Sequence, residues 1–163
     1  MRFLVLCVAT FLPFTAQAAC EGETYLDCPT ADGRRIEACI GSDSFSYRFG
    51  TAGDWELELS VPMEAGTVTP WSGMGGSIWS SVGFPNGEYL YEVWASVDRN
   101  DETANPEGGV NVMKGEETIV TLDCAPGTAN AAAFVLEDAM AERGYCYDLT
   151  DFVWRKGDAC PVQ

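Results

Sequence analysis

The sequence predicts an antiparallel β-sandwich or small barrel of about eight strands, with one C-terminal helix packed on it. Three observations lead there. Apolar residues alternate at period two along most of the chain up to Cys124, as in strands with one buried face. Glycine-containing turn sequences separate these runs at short intervals. A single segment, residues 129–143, is composed instead of strong helix formers.

The first hairpin is YLDCPTADGRRIEACIG, turning at Asp32-Gly33, a dipeptide suited to the positive φ angles of tight hairpin turns. In the second, SFSYRFG puts Phe45, Tyr47 and Phe49 on one face, GTAG turns, and DWELELSV returns with Trp55, Leu57, Leu59 and Val61 inward. The third runs from Ser77 to Phe84, turns at Pro85-Asn86-Gly87, and returns as EYLYEVWASVD, with Tyr89, Tyr91, Val93, Ala95 and Val97 sharing a face. The fourth joins GGVNVM to TIVTLDC across Lys114-Gly115.

The segment ANAAAFVLEDAMAER follows, with Gly144 placed as a stop. Read as a helix over 129–143 it carries an apolar stripe of Ala132, Val135, Leu136, Ala139 and Met140. Its length would be roughly 22 Å at 1.5 Å per residue.

The chain opens with one basic residue, an apolar run from Phe3 to Phe14, and Ala16-Gln17-Ala18. That pattern predicts a secretory signal peptide over 1–18 and a single β-rich domain over 19–163. Cleavage after Ala18 leaves 145 of the 163 residues and, with Arg2 gone, takes the net charge from −16 to −17. Export makes the remaining cysteines candidates for disulfides. Cys28 and Cys39 sit on opposite arms of the first hairpin, Cys124 and Cys146 flank the helix, and Cys20 and Cys160 would tie the termini. Acylation of Cys20 is the alternative for that residue, although no leucine-like residue precedes it in Gln17-Ala18-Ala19. The expected location is periplasmic or secreted, with no transmembrane segment.

The acidic balance argues against nucleic acid and anionic membrane surfaces, which need clustered Lys or Arg. It favours a cationic protein or an envelope component as partner. Histidine is absent, which removes histidine bases, triads that use one, and imidazole metal ligands. No C-x-x-C, S-x-x-K, G-x-S-x-G or phosphate-binding G-x-x-x-x-G-K occurs. No cofactor is expected. A carboxylate-based hydrolase needs only two acids about 5–10 Å apart, and the 25 acids single out no pair.

Two stretches hold candidate site residues. DRNDETANPEGG contains Asp98, Asn100, Asp101 and Glu102, oxygen ligands suited to a hard cation such as Ca²⁺. The loop starts D-x-N, but Thr103 stands where a calcium loop of that kind needs glycine. PWSGMGGSIWSS places Trp71 between a proline and a turn, where a large ring is either a plug or a platform for a ligand. Trp79 lies within the following strand and is equally compatible with core packing and exposure.

The pattern YLDCPTADGRRIEACIGSDSFSYRFG…ELELSVP, PNGEYLYEVWASVDR, GGVNVMKG and TLDC resembles a group of small exported proteins of Gram-negative bacteria without assigned activity. It is more distantly similar to periplasmic lysozyme inhibitors, which insert a loop into the lysozyme cleft. One inhibitor group uses an S-G-x-x-Y loop. The nearest stretch here is Asn86-Gly87 followed by Tyr89 and Tyr91, departing in both serine and spacing. This resemblance implies a binding role for Asn86, Gly87, Tyr89 and Tyr91. The expected function is therefore an exported, non-catalytic binding or structural protein of the bacterial envelope, with inhibition of a cationic protein such as lysozyme as the sharper alternative.

Overall fold

Residues 20, 22–65 and 67–160 are described by a computed structural model; the expected signal peptide lies outside them. Two five-stranded antiparallel sheets stack as a sandwich, with no closed barrel. Sheet 1 has the order β10-β1-β2-β3-β4, built from β1 (Glu23–Pro29), β2 (Arg35–Ile40), β3 (Ser44–Thr51), β4 (Asp54–Pro62) and β10 (Asn130–Ala131). Sheet 2 has the order β5-β6-β7-β8-β9, from β5 (Val68–Thr69), β6 (Ser77–Asn86), β7 (Tyr89–Asp98), β8 (Glu107–Lys114) and β9 (Glu117–Asp123). All four expected hairpins form, and each sheet is mainly a meander of sequence neighbours. A small hairpin of β11 (Tyr145–Asp148) and β12 (Val153–Lys156) follows the helix α1 (Val135–Glu142).

The alternating apolar residues meet between the sheets. Leu26, Cys28, Ile36, Phe45 and Tyr47 from sheet 1 face Val82, Phe84, Val93 and Val110 from sheet 2, all essentially removed from water. Tyr47 packs its ring 5.6 Å from Phe84 and 6.1 Å from Tyr91. The Tyr25 hydroxyl donates across the core to the Ser80 carbonyl at 2.5 Å, so its burial leaves no polar atom stranded. Burial pushes the phenols of Tyr25 and Tyr47 well above their ordinary value of 10.0.

Trp55 departs from the expected inward face. A bulge at Glu56 shifts the β3–β4 register, so that Leu57 opposes Phe49 but Trp55 opposes Gly50. The extra residue turns Trp55 to the outer face, where the Arg48 guanidinium lies 5.0 Å from its ring.

The helix is half the expected length. Asn130 and Ala131 pair as a short edge strand with Asp27 and Leu26, because β1 would otherwise end sheet 1 with unpaired backbone groups. That gain outweighs the helix propensity of an alanine-rich run. Phe134 then takes a left-handed φ of 65° and starts an eight-residue helix. Ala132, placed in the expected apolar stripe, is exposed. Val135, Leu136, Ala139 and Met140 are buried as expected. Just past the helix, Arg143 donates to the carbonyls of Gly41 and Ser42 at 2.8 and 2.9 Å. This bond set ties α1 to the β2–β3 turn and closes one end of the core.

Three disulfides form, but none with the expected partners. Cys28 opposes Ile36 and Cys39 opposes Thr24, so the hairpin register sets these two cysteines apart, and alternation sends them to opposite faces. Cys39 instead bonds Cys20 on the outer face, which answers the acylation alternative for Cys20. Cys28 bonds Cys124, because the chain leaving β9 crosses to sheet 1: Cys124 bridges Thr30 and the Ala125 amide donates to Pro29 at 2.8 Å. Cys146, opposite Arg155 in the β11–β12 hairpin, bonds Cys160 just beyond it. Among the described residues no helix is long and apolar enough to cross a membrane, and the three bridges suit an oxidising environment.

Candidate binding face

The outer face of sheet 2 is set by the same alternation that builds the core. With Val82, Val93, Ala95, Val110 and Val112 inward, Trp79 and Ser81 on β6, Glu92, Trp94 and Ser96 on β7, and Glu107, Gly109 and Asn111 on β8 point outward. Asp123 and Thr121 continue these rows on β9. The register pairs Trp79 with Ser96, Ser81 with Trp94, and Glu92 with Asn111. Each tryptophan therefore stands beside a serine, and the two indoles sit diagonally across one strand pair.

A chain of neutral donors crosses the face. Ser81 Oγ donates to Glu92 Oε1 at 3.1 Å, Asn111 Nδ2 to Glu92 Oε2 at 3.3 Å, and Thr121 Oγ1 to Asn111 Oδ1 at 3.1 Å. These bonds orient the carboxylate while each oxygen keeps a lone pair for a further donor. A depression of about 360 Å³ lies above them, lined by Trp79, Ser81, Glu92, Trp94, Ser96 and Asn111. Trp94 is the wall between it and a second hollow of about 360 Å³ that includes Glu107 and Asp123. Trp79 remains 39% exposed, which for a large ring on a sheet surface leaves substantial apolar area for a partner.

The outer face of sheet 1 differs. Across β1, β2, β3 and β4 the register aligns Asp27, Glu37, Arg48 and Glu58. Glu37 is 2% exposed and accepts from Arg48 Nε at 2.6 Å; Asp27 pairs with Arg35. Burial raises the Glu37 carboxyl above its ordinary 4.5, against the opposing pull of Arg48. Arginines thus meet both buried acids, although Asp27 Oδ1 has no hydrogen-bond partner, and Arg48 and Glu58 border a hollow of about 390 Å³. A further cluster of Cys20, Glu37 and Cys39 lies close enough to hold a metal, but both sulfurs are in the disulfide.

No family model, curated protein or solved structure matches the chain.

The residues singled out in the sequence are dispersed. Trp71 is half-buried: its amide donates to Glu137 at 3.1 Å, its indole to the Met74 carbonyl at 2.9 Å, its ring centre lies 5.9 Å from that of Phe134, and Arg99 stacks 5.2 Å from it. Those contacts make it a plug between the β5–β6 loop and α1. Asn86 ends β6 opposite Tyr89, and Gly87, at φ 63°, forms the β6–β7 turn with Glu88. That turn lies at the far end of β6 from Trp71, a ten-residue strand or roughly 30 Å away. Tyr89 stacks under Lys114 and Tyr91 packs on Tyr47, so neither extends the Trp71 surface.

The 98–109 loop uses its acids internally. Asp98 Oδ1 accepts from the Asn100 amide at 2.8 Å, and Asp101 Oδ1 from the Thr103 amide at 2.9 Å and hydroxyl at 2.7 Å. These bonds hold the Asp101 carboxyl below its ordinary 3.8. Among the described residues, Asp98, Asp101 and Glu102 do not converge into a set of three neighbouring ligands, and Asn100 instead donates to Gly76 at 3.1 Å.

Trp94, Glu92 and Asn111 were not singled out in the sequence. A signal existed: in YEVWASVD the tryptophan falls on the polar side of the alternation. The juxtaposition with Asn111 needs the β7–β8 register.

Proposed function

We propose that the chain is an exported, non-catalytic binding protein of the bacterial envelope, working in the periplasm or outside the cell, and that the outer face of sheet 2 is its binding surface. One observation carries the site: Trp94 and then Trp79 stand in successive cross-strand rows beside an oriented polar row of Glu92, Asn111 and Thr121 on one sheet face. Rigid aromatic anchors beside pre-oriented hydrogen-bonding groups lose little entropy on binding. The three disulfides support the exported setting.

The test is titration calorimetry of the oxidised protein against hen lysozyme as a basic protein and chitohexaose as a neutral glycan, with the Trp79→Ala/Trp94→Ala double variant alongside. Binding of either probe that disappears in the double variant is the expected result. Binding that survives both substitutions, or no binding by either probe, would overturn the assignment of this face.

A further inference from the structure

Resting on that reading, we propose that the occupant of the Trp79–Trp94 face is a guanidinium side chain of a basic protein. The argument is a charge account over the whole fold. Apart from Arg2, which is outside the described residues, the chain has eight cationic side chains. Arg34 pairs with Asp32 and Glu56, Arg35 with Asp27, Arg48 with Glu37, Lys114 with Glu88, and Arg155 with Asp148 and Asp151. Arg143 is spent on main-chain carbonyls, and Arg99 and Lys156 stack on Trp71 and Tyr145. None of these forms an ion pair with Glu92, Glu107 or Asp123. Among the described residues the aromatic face of sheet 2 is thus acidic without an ion-paired cation of its own, whereas sheet 1 supplies arginines to its buried acids.

Two features select guanidinium over a plain ammonium, and a third extends the attraction. Glu92 is held in one orientation by Ser81 and Asn111, with one acceptor direction left on each oxygen. A planar fork engages such a carboxylate through two parallel bonds, which a point-charged lysine cannot do. The indoles beside it, Trp94 two residues along β7 and Trp79 one cross-strand row further, offer π faces on which a guanidinium stacks while keeping its in-plane donors free. Glu107 and Asp123, across Trp94, extend the negative potential to a neighbouring basic residue on the same partner. A surface near −16 overall steers such a partner towards the face.

The experiment uses the oxidised chain and three probes: hexa-arginine, hexalysine and chitohexaose, titrated at physiological salt. The readouts are calorimetry and the five indole N–H resonances, of which Trp55, Trp71 and Trp154 act as internal controls. Hexa-arginine is expected to move the Trp79 and Trp94 signals selectively and to bind roughly tenfold more tightly than hexalysine; Glu92→Gln, close in shape, should remove that preference. Equal binding of both peptides, or binding unaffected by Glu92→Gln, would overturn the guanidinium assignment in favour of diffuse charge attraction. Selective movement of the two signals by chitohexaose alone would overturn it while leaving the binding face intact. No selective movement with any probe would overturn both. The peptide and glycan comparisons on the wild-type protein decide the remaining outcomes even if Glu92→Gln folds poorly.

Discussion

The Trp94 indole lies across Gly109. A Cβ built on that glycine would come 3.2 Å from both Cζ2 and Nε1 of the ring, and 2.5 Å from the Leu122 carbonyl oxygen. Gly109→Ala therefore collides with a ring that has to move and with a backbone carbonyl of β9 that cannot do so cheaply. We expect a loss of about 1–3 kcal/mol in urea unfolding, together with a displaced Trp94 indole resonance. An unchanged spectrum and stability would show that Trp94 does not need the bare backbone beneath it.

The disulfides should differ in worth. Cys28–Cys124 spans 96 residues and Cys146–Cys160 only 14. On chain-entropy grounds their paired serine variants should cost about 4–5 and about 3 kcal/mol respectively. The first also joins the two sheets, so its loss should lower the protection of both from hydrogen exchange. The second should loosen the C-terminal hairpin with the sandwich intact.

Glu37 gives a pH dependence of defined sign. Its carboxyl is raised above 4.5 in the fold, so the folded state binds the proton more readily than the unfolded chain. Stability from this group falls as pH rises through the window above about 4.5 and is recovered as pH falls back to it. Melting between about pH 7 and about pH 5 should therefore show wild type gaining stability on acidification, with a shallower gain in Glu37→Gln. Below that window the order reverses for Asp32 and Asp148, both held below 3.8 chiefly by hydrogen bonds from Arg34 and Arg155. Their contribution is present above about 3.8 and is lost as the pH drops further.

Arg143 links two remote elements through three carbonyls, those of Gly41, Ser42 and Ala139. Arg143→Ala should cost about 1.5–3 kcal/mol, the range for charged hydrogen bonds. Arg143→Lys should recover only part of it, since one ammonium cannot reach all three acceptors in the guanidinium's geometry. Chemical denaturation of the two variants checks the ordering.

The sequence by itself determined a fold of antiparallel hairpins around one apolar core, a sandwich or a small barrel, and the structure decided for the sandwich. Period-two runs such as Phe45, Tyr47 and Phe49, punctuated by Asp32-Gly33, Asn86-Gly87 and Lys114-Gly115, fix which residues face the core and where the chain turns, because both are local properties of the pleat and of positive-φ turns. Composition likewise removed histidine chemistry. What the tertiary structure alone decided depends on register and on distant pairing. The edge of β1 captured Asn130 and Ala131 from a run with helix propensity. A slip of a few residues within the first hairpin, and the crossing after β9, reassigned every disulfide. The candidate face has the same origin: Trp94 beside Ser81 and Glu92 beside Asn111 are neighbours only across strands. Among the described residues, that no cation pairs with Glu92 follows from where their eight basic side chains came to rest, which no linear spacing encodes.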